Sequence, residues 1–114
     1  MTDIDLDELA TRLGDVRVID VRSAGEYDGT RGYPGDPRQG HIPGAEHLDV
    51  RELMAMDADE IRARLGDPQE LVVYCHSGQR SAYAADILRA VGYEARNYVG
   101  SWHEWSRTEL PIEA

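Results

Sequence analysis

Leu71-Val72-Val73-Tyr74-Cys75-His76-Ser77-Gly78-Gln79-Arg80-Ser81 is an apolar run that stops at a cysteine and continues as a short polar stretch carrying a glycine. Four successive apolar residues, β-branched at their centre, predict a short buried strand. Beyond Arg80, the residues Ala84, Ile87, Leu88 and Val91 recur at i, i+3, i+4 and i+7 and stop at Gly92. That spacing predicts a helix beginning near Ser81 with one apolar face and a glycine terminator. The cysteine therefore stands on a loop between a strand end and a helix start.

The pattern repeats on either side. Arg17-Val18-Ile19-Asp20-Val21 reads as a second buried strand, with Asp20 near its carboxyl end and a turn at Arg22-Ser23. Before it, Leu6, Leu9, Ala10 and Leu13 have helical spacing behind an Asp5 cap, with Glu8 three residues later and Gly14 as a stop. Between Asp57 and Leu65 a further helix is expected, with Asp57 and Glu60 at capping distance and an acidic first turn that suits the helix dipole. Ala95 to Val99 reads as a strand and Ser101 to Ser106 as a short helix. The segment from Gly29 to Gly44 holds five of the eleven glycines and three of the five prolines, so an irregular surface excursion is expected there. Strands alternating with helices imply an α/β fold with a mainly parallel sheet.

With 114 residues, 41% hydrophobic and 30% charged, the chain has the size and composition of one globular domain. No apolar run approaches the roughly 18 to 20 residues that span a bilayer, and Met1 leads into Thr-Asp-Ile-Asp-Leu-Asp with no signal-like segment, so a cytoplasmic setting and no membrane partner are expected. A net charge of -10, with all the positive charge on arginine and no basic footprint, argues against nucleic acid.

One cysteine forms no internal disulfide and builds no zinc site by itself, so Cys75 is either an inert core thiol or a reactive one. In an open α/β sheet, sites form beyond the carboxyl ends of strands, where both Asp20-Val21-Arg22 and the Cys75 loop emerge. A loop entering a helix also aims backbone N–H groups at one spot, and the helix dipole favours an anion there. A thiolate or persulfide on Cys75 would be such an anion.

Asp20-Val21-Arg22 with Glu26-Tyr27, then Gly40-His41-Ile42-Pro43-Gly44-Ala45, then Cys75 to Ser81, and finally Gly100-Ser101-Trp102 through Trp105 resemble the rhodanese-like domain family in order and spacing. The resemblance spans residues 3–107 as one rhodanese domain, with 108–114 as a short C-terminal tail. It implies a five-stranded parallel sheet flanked by helices and a single-domain sulfurtransferase with Cys75 as its catalytic residue. Such an enzyme moves a sulfane sulfur from a small anionic donor such as thiosulfate to cyanide, a thiol or an acceptor protein, through a persulfide. That chemistry implies no metal and no organic cofactor.

The resemblance also implies that His76, Ser77, Gly78, Gln79 and Arg80 bind the substrate. The four residues between Cys75 and Arg80 are one fewer than in the related Cys-x5-Arg phosphatases, which disfavours an arsenate reductase or phosphatase. The loop also lacks the Gly-Val-Thr or Gly-Val-Ser ending of mercaptopyruvate and two-domain enzymes, and Glu26 stands where those tend to carry a substrate-binding arginine. A non-catalytic binding or redox-sensing module is the alternative reading.

Asp20, Arg22 and Glu26 are expected to support the site, the first two as an ion pair that Glu26 joins through Arg22. Arg80 either contacts substrate or braces the loop, and His76 either adds positive charge beside the thiol or points away from it. His41 is expected to brace a turn, and Tyr98, Trp102 and Trp105 to fill core, with His103 exposed between the tryptophans. Arg31 and Arg38, in the excursion, are candidates for an added anion contact.

Overall fold

The computed structural model describes residues 3–114. Its elements, in chain order, are β1 (Asp3–Ile4), α1 (Leu6–Arg12), β2 (Arg17–Asp20), α2 (Ala24–Asp28), β3 (Glu46–His47), α3 (Val50–Met54), α4 (Ala58–Leu65), β4 (Glu70–Tyr74), α5 (Gln79–Ala90), β5 (Glu94–Tyr98) and α6 (Ser101–Trp105). The five strands form one sheet in the order β1-β5-β4-β2-β3, with every pairing parallel. The α/β architecture and its five-stranded parallel sheet agree with the reading of the sequence.

Side chains alternate between the two faces of each strand, and the core divides accordingly. Ile19, Leu71, Val73 and Ala95 join one cluster with Leu53, Ile61, Leu65, Ala84, Ala85 and Leu88, which places α3, α4 and α5 on that face. Val18, Val72 and Tyr98 join the other with Leu9, Trp102 and Trp105, which places α1 and α6 opposite. Tyr98, Trp102 and Trp105 are fully buried, as expected of core aromatics. The closing residues pack against this second cluster through Leu110 and Ile112, and Trp105 Nε1 donates to Pro111 O.

Local signals place most elements. Asp5 caps α1 by accepting the Glu8 N–H, and Asp57 and Glu60 form a reciprocal capping box at α4. The helix expected near Ser81 starts two residues earlier, because Gly78 itself is the cap. Residues 29–45 contain no helix or strand, in line with an irregular excursion. No helix among the described residues is long and apolar enough to cross a membrane.

Candidate active site

Strand β4 lies between β2 and β5, so the chain leaving Tyr74 emerges with a neighbouring strand end on either side. Asp20 is in register with Tyr74, and the Val21 N–H donates to Tyr74 O at 3.0 Å. The Asp20-Val21-Arg22 segment and the Cys75 loop therefore meet. On the other side Val99 packs against Gly78, whose φ of +99° excludes an ordinary side chain; a Cβ there would sit 2.9 Å from Val99 O.

Cys75 is 1% exposed, and its Sγ is the focus of the loop. The Gly78 N–H lies 3.1 Å from it and the Ser81 hydroxyl 3.3 Å, with Ser101 Oγ at 4.0 Å. Burial pushes the thiol pKa up, but hydrogen bonds from the Ser81 hydroxyl and from the N–H groups of Ser81, Gly78 and Ser77 outweigh burial and leave it below the ordinary value.

The loop keeps this shape because its carbonyls are engaged from behind. Cys75 O accepts from the Trp102 N–H and His76 O from the His103 N–H, each at 2.9 Å, while Asn97 Nδ2 donates to Gly78 O at 3.2 Å. Ser101 completes the clamp by accepting the Cys75 N–H at 3.1 Å and donating to Tyr98 O at 2.8 Å. It does so in the left-handed region, at φ 55°, where a residue other than glycine is strained.

Asp20 and Arg22 form the expected buried pair, at 2.7 Å and with at most 1% exposure of either side chain. The Tyr74 hydroxyl donates to the same carboxylate oxygen, Oδ2, at 2.7 Å, Arg22 Nη2 donates to Gly40 O at 2.6 Å, and the guanidinium lies 5.0 Å above the Trp102 ring. This network ties the end of the excursion to the strand that carries Cys75.

Glu26 does not join Arg22. Its carboxylate takes both arms of Arg80, at 2.9 and 3.0 Å, because α2 turns it toward the start of α5. Ser23 holds it there by donating its hydroxyl and N–H to the same oxygen. Burial raises the Glu26 pKa, and the bonds from Arg80 and Ser23 overcome that and hold it at about 2.

His76 Nε2 lies 2.9 Å from Asp36 Oδ2, and its ring stacks on Tyr33 at 3.7 Å, so His76 faces the excursion. Ser77 donates to Gln79 Oε1 at 2.6 Å at the exposed tip of the loop. Arg38 is spent on the carbonyls of Trp105, Ser106 and Thr108, which removes it as an anion contact. Arg31 is exposed, with its stem beside Gly25. His41 braces a turn as expected, with Nδ1 2.8 Å from Tyr27 O, and His103 is exposed.

The sequence profile of the Rhodanese-like domain matches residues 5–108. The chain belongs to this family. A thiosulfate sulfurtransferase of Corynebacterium glutamicum is 35% identical over 120 residues, which cover 90% of this chain and 40% of that protein. A crystal structure of a probable thiosulfate sulfurtransferase superposes with a TM-score of 0.87 at 41% identity over 98% of this chain and 47% of the other. A human single-domain sulfurtransferase superposes at 0.73 with 31% identity, over 96% of this chain and 99% of its own. The chain thus spans less than half the length of the first two relatives and nearly all of the third.

Within this rhodanese fold, the Cys75 loop can hold a sulfur anion. It offers converging N–H and O–H donors in a water-poor setting, where such donors act most strongly. Two of the groups that shape it, Ser81 and Ser101, belong to the quoted motifs, but the sequence assigned them no role at the site. Ser81 reads there as a helix start. Ser101 acts through a hydroxyl placed by a left-handed backbone angle, which no local pattern announces.

Proposed function

We propose that the protein is a thiosulfate sulfurtransferase in which Cys75 is the nucleophile. The observation that carries this reading is the set of hydrogen bonds on Cys75 Sγ from Gly78 and Ser81, which keep the thiol pKa below its ordinary value in spite of burial.

In the proposed cycle the Cys75 thiolate attacks the outer sulfur of thiosulfate, the S–S bond breaks, and sulfite leaves with the bonding electron pair. The product is a Cys75 persulfide whose terminal sulfur is anionic and takes up the loop N–H donors. A nucleophilic acceptor such as cyanide or a thiol then attacks the terminal sulfur and returns Cys75 to the thiolate, so the kinetics are ping-pong. Ser77, Gly78, Gln79 and Ser81 surround the transferred sulfur, and Arg80, balanced by Glu26, contributes to the field at the site. Asp20 and Arg22 hold the scaffold. A protein thiol is also a suitable acceptor.

The test is intact mass after incubation with thiosulfate, beside Cys75→Ser, followed by cyanide. A gain of about 32 Da in the parent alone, reversed by cyanide with release of thiocyanate, supports the reading. No gain with thiosulfate or any other sulfane donor overturns it in favour of a module that binds a partner or senses oxidants.

A further inference from the structure

His76, Asp36 and His103 come from three separate segments: the Cys75 loop, the excursion and α6. One ligand atom of each lies within 4.8 Å of the others. We propose that these residues form a binding site for a divalent transition ion of the zinc type, at the rim of the Cys75 loop and independent of its sulfur.

The donor set selects the ion. Two imidazoles and one carboxylate suit zinc and its borderline neighbours, whereas calcium and magnesium require shells of oxygen. In a tetrahedral zinc site the bonds are about 2.0–2.1 Å, so ligand atoms stand roughly 3.3 Å apart. Asp36 Oδ2 and His76 Nε2, at 2.9 Å, are already near that separation. The exposed His103 ring meets His76 edge-on with centroids 5.6 Å apart, and one of its nitrogens lies within 4.8 Å of the other two ligand atoms.

The surroundings hold the ligands in place, as metal sites require. The Asp36 side chain is 2% exposed, and Arg107 Nη1 binds its other oxygen at 2.9 Å, which leaves Oδ2 directed at His76. Tyr33 fixes the plane of the His76 ring by stacking on it. An ion at this point takes the Nε2 position that faces Asp36, and the bound neutral ring carries its single proton on Nδ1. Three protein ligands leave a fourth position for water or an exogenous group. Occupancy joins the excursion, the loop and α6, and so stiffens the rim of the Cys75 loop.

A thiolate also binds zinc, so the experiment separates the two. Zinc binding by the untagged protein is measured against a chromophoric chelator in the parent, Cys75→Ser, His103→Ala and Asp36→Asn, with cobalt as the spectroscopic probe. The expected result is one ion per chain in the parent and in Cys75→Ser, with cobalt bands lacking thiolate charge transfer. His103→Ala and Asp36→Asn should each weaken binding by about tenfold or more. Thermal melts without metal establish that each variant is folded, and His103→Gln repeats the test by a milder change. Absence of binding by the parent overturns the proposal, and so does binding that vanishes in Cys75→Ser and survives in the His103 and Asp36 variants. Metal binding is read directly and does not depend on sulfur transfer.

Discussion

Glu26 and Arg80 are joined by two near-parallel hydrogen bonds of 2.9 and 3.0 Å, so the arginine nearest the Cys75 loop carries its own counter-ion. An anionic donor approaching Cys75 therefore meets a neutralised pair, and it must share Arg80 with a carboxylate already in place.

Removing that carboxylate charge should release the guanidinium toward the donor. Glu26→Gln is expected to lower the KM for thiosulfate by about three- to tenfold, the scale of one screened charge contact of ~1 kcal/mol, with a smaller change in kcat. Initial rates over a range of thiosulfate and salt concentrations check this, and the gain should shrink as salt rises.

The same carboxylate sets an acid limit. Its pKa is about 2 in the folded protein against an ordinary 4.5, so its stabilisation is complete above the ordinary value and is lost as pH falls toward 2. Melting temperature should fall through this window in the parent. In Glu26→Gln the fall should be shallower, with the two proteins converging near the acid end. The stability at stake is on the order of 2–3 kcal/mol.

Ser81→Ala removes a hydroxyl from Cys75 Sγ without touching the backbone donors. The pH at which alkylation by iodoacetamide reaches half its limiting rate should rise by roughly one unit, the scale of one hydrogen bond to a charged group. Melting temperature should change little.

Asp20 is the buried partner of a buried arginine. Asp20→Asn should cost about 3–5 kcal/mol, since Arg22 keeps its charge and loses its counter-ion. Replacing both residues with apolar ones of similar volume should recover part of that loss, and chemical denaturation of the three variants measures it.

Much of this was legible in the chain. Val18-Ile19 and Leu71 to Tyr74 announced central strands because a fully buried strand is continuously apolar, and Asp5 and Asp57 announced helix starts because their caps are local. What escaped depends on distance. Strands β1 and β3 are two residues each, too short for a period, and α3 has only five. Helix α2 carried a readable capping box at Ser23 and Glu26, but its length gives no apolar face to follow. The choice of Glu26 between Arg22 and Arg80 was decided by the direction of α2, and the pairing of Asp36 with His76 by the path of the excursion. Neither is a property of neighbouring residues.

The brevity of β1 and β3 has a consequence for how the molecule behaves in a crowd. They are the two edges of the sheet, and an edge strand is where unpaired backbone groups invite another chain to add on. An edge two residues long offers too few such groups to register an incoming strand. The apolar run Leu71-Val72-Val73-Tyr74 of β4, the stretch that would seed fibrils, lies in the interior of the sheet with both sides taken. Protection against cross-chain polymerisation is thus written into strand order and length, and it holds while the sheet stays closed by its neighbours.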